Sequence, residues 1–76
     1  MTTLRIEIDR EEDGRWFAEV PDLPGVITYG ASRNEAIIKA KALALRVIAE
    51  RIEYGEPVVD LEPIFPVTDK HEKAFI

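Results

Sequence analysis

The stretch Asp13-Gly14-Arg15-Trp16-Phe17-Ala18-Glu19-Val20-Pro21-Asp22-Leu23-Pro24-Gly25-Val26-Ile27-Thr28-Tyr29 decides the fold. Residues 15–20 mix aromatic and β-branched residues with polar ones in the manner of a strand. Two prolines within four residues then rule out a continuing central ladder, because proline has no amide hydrogen to give, and Gly25 suits a backbone with positive φ. The segment 21–25 is therefore a fixed corner, and Val26-Ile27-Thr28-Tyr29 is the next strand, ending at Gly30. Large apolar groups fall on both sets of alternations: Trp16, Val20 and Val26 on one, and Phe17, Ile27 and Tyr29 on the other. A single helix can cover only one of these faces.

Upstream, Leu4-Arg5-Ile6-Glu7-Ile8-Asp9 alternates apolar and polar without a break, so residues 4–9 form a first strand with one wet face. The turn signal Glu11-Glu12-Asp13-Gly14 joins it to the second. A bare two-residue Asp13-Gly14 turn would set Ile8 opposite Glu19, whereas an odd-length loop with Gly14 at positive φ sets Ile8 opposite Ala18 and Ile6 opposite Val20. The odd loop keeps apolar residues together and is the one expected. Downstream, Ser32-Arg33-Asn34-Glu35 is a capping box, in which the Ser32 hydroxyl accepts from the Glu35 amide and the Glu35 carboxylate reaches back to the Ser32 amide. The helix it opens should run to about Tyr54, with Gly55 as the residue after the cap and Pro57 preventing continuation. On a helical wheel Glu35, Lys39, Arg46, Glu50 and Glu53 fall within an arc of roughly 60°. Ala36, Ile37, Ile38, Ala40, Leu43, Ala44, Leu45, Val47, Ile48 and Ile52 cover well over half of the circumference, more than a helix needs to cover its own sheet. After it, Pro57, Pro63 and Pro66 restrict residues 56–76 to an extended arm with at most a fourth, edge strand, and Ala74-Phe75-Ile76 could dock on a neighbour.

The chain has 76 residues and a formal charge of −5, enough for one small domain with a thin core. It has no cysteine, which excludes disulfides, thiolate metal sites and a Cys nucleophile, and its one histidine, His71, leaves nothing from which to build a multi-His metal site or a Ser-His-Asp triad. No cofactor is implied. Self-association is the stabilising device that remains, and because one helix leaves a sheet face uncovered, a homo-oligomer is expected, with a dimer favoured by symmetry. No apolar run approaches the ~20 residues of a membrane span and no signal peptide opens the chain, so the expected compartment is the cytosol.

Charge is unevenly spread: residues 1–31 carry a net −4, residues 32–54 a net +2 and residues 55–76 a net −3. The acidic sheet half repels nucleic acid and suits a basic partner. Catalysis has no convergent group to rest on. Glu11, Glu12 and Asp13 are consecutive turn residues that face solvent, Ser32 is explained as a helix cap, and His71 reads as a solvated tail residue. Gly14, Gly25 and Gly30 each end a strand or turn and form no phosphate-cradling loop. Trp16, Phe17 and Tyr29 could stack bases, but their acidic flanks favour core packing and a protein interface.

Taken together, Asp13-Gly14-x-Trp16-x-Ala18-x-x-Pro21-Asp22-Leu23-Pro24-Gly25, then Gly30, then Ser32-x-x-Glu35-Ala36 and an Ala- and Leu-rich helix, resembles the HicB family of antitoxins. The resemblance covers roughly residues 4–55 and reaches the tail only in Gly55-Glu56-Pro57. It implies an α+β domain of order β-β-β-α-β: a three-stranded antiparallel sheet, one long helix across it and a further strand. It also implies a task, to bind a small basic HicA-type toxin, a ribonuclease of double-stranded-RNA-binding-domain fold, and to block its catalytic histidine. Many family members continue into an operator-binding segment, for which a chain ending at Ile76 has no room, so no separate DNA-binding domain is expected. Glu19 and Asp22, which flank the rigid corner, and Tyr29 are the candidate partner-binding residues. The alternative is a stand-alone oligomerising domain that binds another protein.

Overall fold

A computed structural model describes residues 3–70. His71 and Ala74-Phe75-Ile76 lie outside the described residues, as do the first two. Three strands, β1 (Glu7–Arg10), β2 (Trp16–Glu19) and β3 (Ile27–Gly30), precede one long helix, α1 (Arg33–Glu53). The sheet is antiparallel in the order β1-β2-β3, and α1 lies across one of its faces, an α+β fold.

The β1–β2 hairpin has the odd loop and the register that follows from it. Five residues, 11–15, separate the strands, Gly14 takes φ 92°, and Ile8 stands opposite Ala18. The loop closes on itself: the Glu11 amide donates to the Arg15 carbonyl at 2.7 Å and the Gly14 amide to the Glu11 carbonyl at 3.0 Å. The first strand is shorter at its start than residues 4–9. Continued in the same register, Arg5 would face Pro21, which has no amide hydrogen, so the ladder stops at Glu7↔Glu19. Leu4 and Ile6 still pack against the core from outside the ladder.

The corner is tied by its own backbone. Val20 donates to the Val26 carbonyl at 3.0 Å, Leu23 to Val20 at 2.9 Å and Val26 to Leu23 at 3.0 Å, with Gly25 at φ 91°. These bonds turn the Leu23 side chain inward, where it is 1% exposed, between Val20, Val26, Ala44 and Ile48. A second core region, continuous through Ile6, consists of Ala18, Ala36 and Ala40, all fully buried, with Ile8 and Trp16 at its margin. The helix thus covers the Trp16, Val20, Val26 face and leaves the Phe17, Ile27, Tyr29 face open.

At the helix start the Glu35 amide donates to Ser32 Oγ at 3.1 Å. The second half of the capping box differs from expectation. The Glu35 carboxylate is taken by Lys39 Nζ at 2.9 Å and by the Ala31 backbone, because an ion pair one turn along the helix outweighs a neutral contact to the cap amide. At the far end the Gly55 amide donates to the Ile52 carbonyl and the Glu56 amide to that of Arg51, the paired bonds of a Schellman stop with Gly55 at φ 67°.

The fourth strand expected in the arm is absent from the described residues. Residues 56–69 form turns and irregular chain in which Val59 and Leu61 pack on the core. Pro57, Pro63 and Pro66 remove donors a ladder would need, and the amides of Ile64 and Phe65 both donate to the Leu61 carbonyl, closing a turn where a strand would have to extend.

Two glycines separate strain from clash. A Cβ on Gly25 would meet nothing within 4 Å, so Gly25→Ala should cost about 1–2 kcal/mol through its positive φ alone. A Cβ on Gly30 would lie 2.7 Å from the Ala36 backbone nitrogen and 3.0 Å from Glu35 Cβ, so Gly30→Ala must push the helix start off the sheet and should cost more than Gly25→Ala. Denaturant midpoints of the two variants check this; equal losses would mean that the helix start is not pinned against β3.

Candidate functional site

The open sheet face is laid out by the strand register in two rows. One row runs Asp9, Phe17, Tyr29 and the next Glu7, Glu19, Ile27. Because β1 contributes only acids to this face and β3 only an aromatic and a β-branched residue, carboxylates gather at one edge and apolar surface at the other. Tyr29 and Ile27 are 40% and 41% exposed, which is high for large side chains in a sheet of a domain this small. Phe17 sits half-buried between them and Asp9, its ring 6.4 Å from that of Tyr29 at 52°.

Arg15 closes the aromatic edge. Its guanidinium lies 5.0 Å from the Tyr29 ring centroid, a cation-π contact, and its Nε donates to Asp13 Oδ2 at 2.8 Å. Asp13 also accepts from the Arg15 amide at 3.0 Å. This backbone bond, with the guanidinium beside it, lowers the Asp13 pKa below its ordinary value. Arg10 makes a similar contact with Trp16, 5.4 Å from its ring. The Arg10 stack follows from the hairpin register, but the Arg15 stack is not evident from the sequence, since Arg15 and Tyr29 are fourteen residues apart and meet only through the β2–β3 register.

The acidic edge is electrostatically incomplete. Glu7 and Glu19 are direct cross-strand partners, and like charges so placed repel. Arg5 reaches Glu7 at 3.6 Å, but both side chains are largely exposed and the pair is worth little. Among the described residues no ion pair engages Glu19 or Asp22. Glu19 and Tyr29, two of the three residues expected to bind a partner, are therefore brought onto one face, on adjacent strands. Asp22 is exposed but lies in the corner, outside both rows.

Other residues singled out by their pattern have structural positions. Ser32 caps α1, and Leu23, Ala18 and Ala36 are core. Gly14, Pro21, Pro24, Gly25 and Gly30 shape turns and the helix contact, and Trp16 borders the core while stacking under Arg10. Among the described residues no group of three or more His, Asp or Glu side chains converges to hold a metal ion, and no helix is long and apolar enough to cross a membrane. What the open face can do chemically is bind: it offers carboxylates for cations and an aromatic platform for apolar or planar cationic groups.

Comparison with known proteins finds similarity to the UPF0150 protein Ta0767 of Thermoplasma acidophilum, 39% identical over 46 residues. The match takes in 60% of this chain and 65% of that protein, just under two thirds of its length. No family model matches the chain, and no solved structure matches it.

The Arg15 clamp has a pH signature. Asp13 should titrate below the ordinary carboxylate range, so its hold on Arg15 is intact above that range and is lost as pH falls through the lowered folded-state pKa. In an NMR titration the Tyr29 ring resonances should shift with the same midpoint as the Asp13 carboxyl; Tyr29 resonances that stay fixed through the Asp13 transition would mean that Asp13 does not position Arg15.

Proposed function

We propose that this protein is the antitoxin of a type II toxin-antitoxin pair, a binding protein and not an enzyme, whose open sheet face and corner mask a small basic HicA-type ribonuclease toxin. The observation that carries the reading is the row Glu7, Glu19, Ile27 beside Asp9, Phe17, Tyr29: opposed carboxylates, Glu19 without an ion pair among the described residues, next to exposed aromatic surface on one sheet face. The resemblance of the segment from Asp13 to Ala36 to HicB antitoxins supports it. Similarity to the UPF0150 protein supports only a shared domain, since that name states no activity.

The mechanism follows from electrostatics. A ribonuclease holds RNA phosphates with Lys and Arg, so its active surface is basic. Glu19, with Glu7 opposite it, would take the place of phosphates, and the toxin's cations would in turn relieve the repulsion between the two carboxylates. Desolvation of Phe17, Tyr29 and Ile27 on contact would supply the apolar part, at about 25 cal/mol per Å² buried. Asp22 would act from the corner as a rim charge, steering encounter more than holding the complex. Direct nucleic-acid binding by the same face is disfavoured, because its charge has the sign of the phosphates. Synthesis and action in the cytosol would follow from the partner, whose RNA target is there.

The test is co-expression with a small basic toxin encoded beside this chain. Glu19→Lys/Asp22→Lys should lose growth rescue, and its association with purified toxin should slow by about 10-fold or more at low salt, with a smaller change in dissociation. Tyr29→Ala should chiefly raise the dissociation rate. All three substitutions replace exposed or half-buried side chains, and circular dichroism checks that the variants fold. Full rescue together with salt-insensitive association would exclude the sheet face as the masking surface.

A further inference from the structure

The free edge of β3 has a hydrogen-bond pattern of its own. β3 is an outer strand of the sheet, and the arm lies on the β1 side, where Leu61, Ile64 and Phe65 share an apolar groove with Leu4. The Val20 amide donates to the Val26 carbonyl at 3.0 Å, so these two residues form a hydrogen-bonded pair. Alternation along an antiparallel ladder then makes Ala18↔Thr28 a bonded pair as well, and it turns the amide and carbonyl of Ile27 and of Tyr29 away from β2. Two of these four outward groups are already used. The Ile27 amide donates to the Gly25 carbonyl at 3.2 Å, and the Tyr29 carbonyl accepts from Lys39 Nζ at 3.2 Å. Among the described residues nothing bonds the Ile27 carbonyl or the Tyr29 amide.

The two groups that are left select a direction. An antiparallel strand exchanges both of its bonds with one residue, and at Ile27 and at Tyr29 one of the two is taken. A parallel strand instead bonds the carbonyl before and the amide after the residue it stands beside. At Thr28 these are the Ile27 carbonyl and the Tyr29 amide. The β3 of a second copy, joined about a two-fold axis perpendicular to the sheet, would run antiparallel and is disfavoured for the same reason.

We propose that the β3 edge receives an extended segment of a partner protein, running parallel to β3 and placing an acidic residue, flanked by apolar ones, beside Thr28. Charge selects the acidic residue. Thr28 points to the helix side, where its hydroxyl bonds the Ala36 carbonyl, so a residue beside it points into the groove lined by Thr28, Ile38, Lys39, Ala42, Leu43 and Arg46. That lining has two cations and no carboxylate. Lys39 is held by Glu35, whereas Arg46 is exposed and no ion pair among the described residues engages it. A glutamate in this position would lay its stem along Ala42 and Leu43 and bring its carboxylate to Arg46. The residues before and after it would face the open sheet next to Ile27 and Tyr29 and bury part of their exposed surface. In strand addition of this kind main-chain bonds give affinity and alternate side chains give specificity. The edge is thus separate from the carboxylate rows proposed to mask a toxin, and it suits a segment of the opposite charge.

The probe is a capped peptide, Thr-Val-Glu-Val-Thr, added at up to about 5 mM to the isotope-labelled full chain and followed by NMR. The Tyr29 amide should move downfield and gain protection from hydrogen exchange, while the Ala18 and Thr28 amides, already bonded, should move less. A nitroxide on the N-terminus of the peptide should broaden Val26 more than Gly30, because the strands run the same way. The analogue Thr-Val-Lys-Val-Thr should bind about 5-fold more weakly or worse, and Arg46→Glu should reverse that preference with unchanged circular dichroism, since Arg46 is exposed. Lys39→Met frees the Tyr29 carbonyl and should admit the antiparallel orientation, so that broadening reaches Gly30 as well. No shift at Tyr29, a Tyr29 amide already protected in the chain alone, broadening of Gly30 in place of Val26 in the unaltered chain, or equal binding of the two peptides would each overturn the proposal. None of these readouts involves a toxin, so they leave the antitoxin reading to stand or fall by its own test.

Discussion

The close approach of helix to sheet through Ala18, Ala36 and Ala40 is the constraint on which the rest of the structure depends. All three are fully buried, and beside them the missing Cβ of Gly30 lets β3 end against the first turn of α1. Small residues in this position draw the helix backbone down onto the strands, where the Thr28 hydroxyl donates to the Ala36 carbonyl at 2.9 Å and Lys39 Nζ to the Tyr29 carbonyl at 3.2 Å. Larger side chains at Ala18 or Ala36 would lift the helix and break both bonds. Further along, where the corner departs from the sheet, the gap widens and is filled by Leu23, Val20, Val26 and Ile48. One end of the interface is tight and built from alanine; the other is packed with branched side chains.

That arrangement explains why so small a domain leaves so much apolar surface outside. Among the described residues the buried apolar set comprises eight side chains, four of them alanine, and burying a Val, Leu or Ile side chain contributes only about 1.5–3 kcal/mol. A core of this kind has little margin against chain entropy. Besides Tyr54 and the arm's Ile64, Phe65 and Val67, the exposed apolar residues of sheet and helix form two separate patches: Ile27 and Tyr29 with half-buried Phe17 on the open sheet face, and Ile38, Leu45 and Ile52 on the outer helix face. They differ in their surroundings. The sheet patch borders the opposed carboxylates Glu7 and Glu19, of which Glu19 has no ion pair among the described residues, while the helix patch is flanked by charges of both signs. The two patches lie on opposite sides of the domain, because helix and sheet lie back to back.

The hairpin register, the corner, the helix cap and the helix stop were legible in the sequence because each depends on local covalent and steric rules. Proline lacks a donor, glycine reaches positive φ, a side-chain oxygen can cap an amide, and an odd loop determines which residues oppose each other. Ile8 opposite Ala18 and the Schellman stop at Gly55 are such cases. Tertiary structure decided the rest. Periodicity assigned Trp16 and Phe17 to opposite faces but could not say which the helix would cover, because that choice depends on side-chain volumes summed over two elements. Leu23 looked like part of a turn and became a core residue once backbone bonds turned it inward. Among the described residues the arm forms no fourth strand, because its prolines and the turn at Leu61 compete with pairing that only a neighbouring edge could reward. Glu7 opposite Glu19 follows from the hairpin register, but Arg15 over Tyr29 exists only once β2 and β3 are paired across the corner, since its energy depends on distance through space and not along the chain.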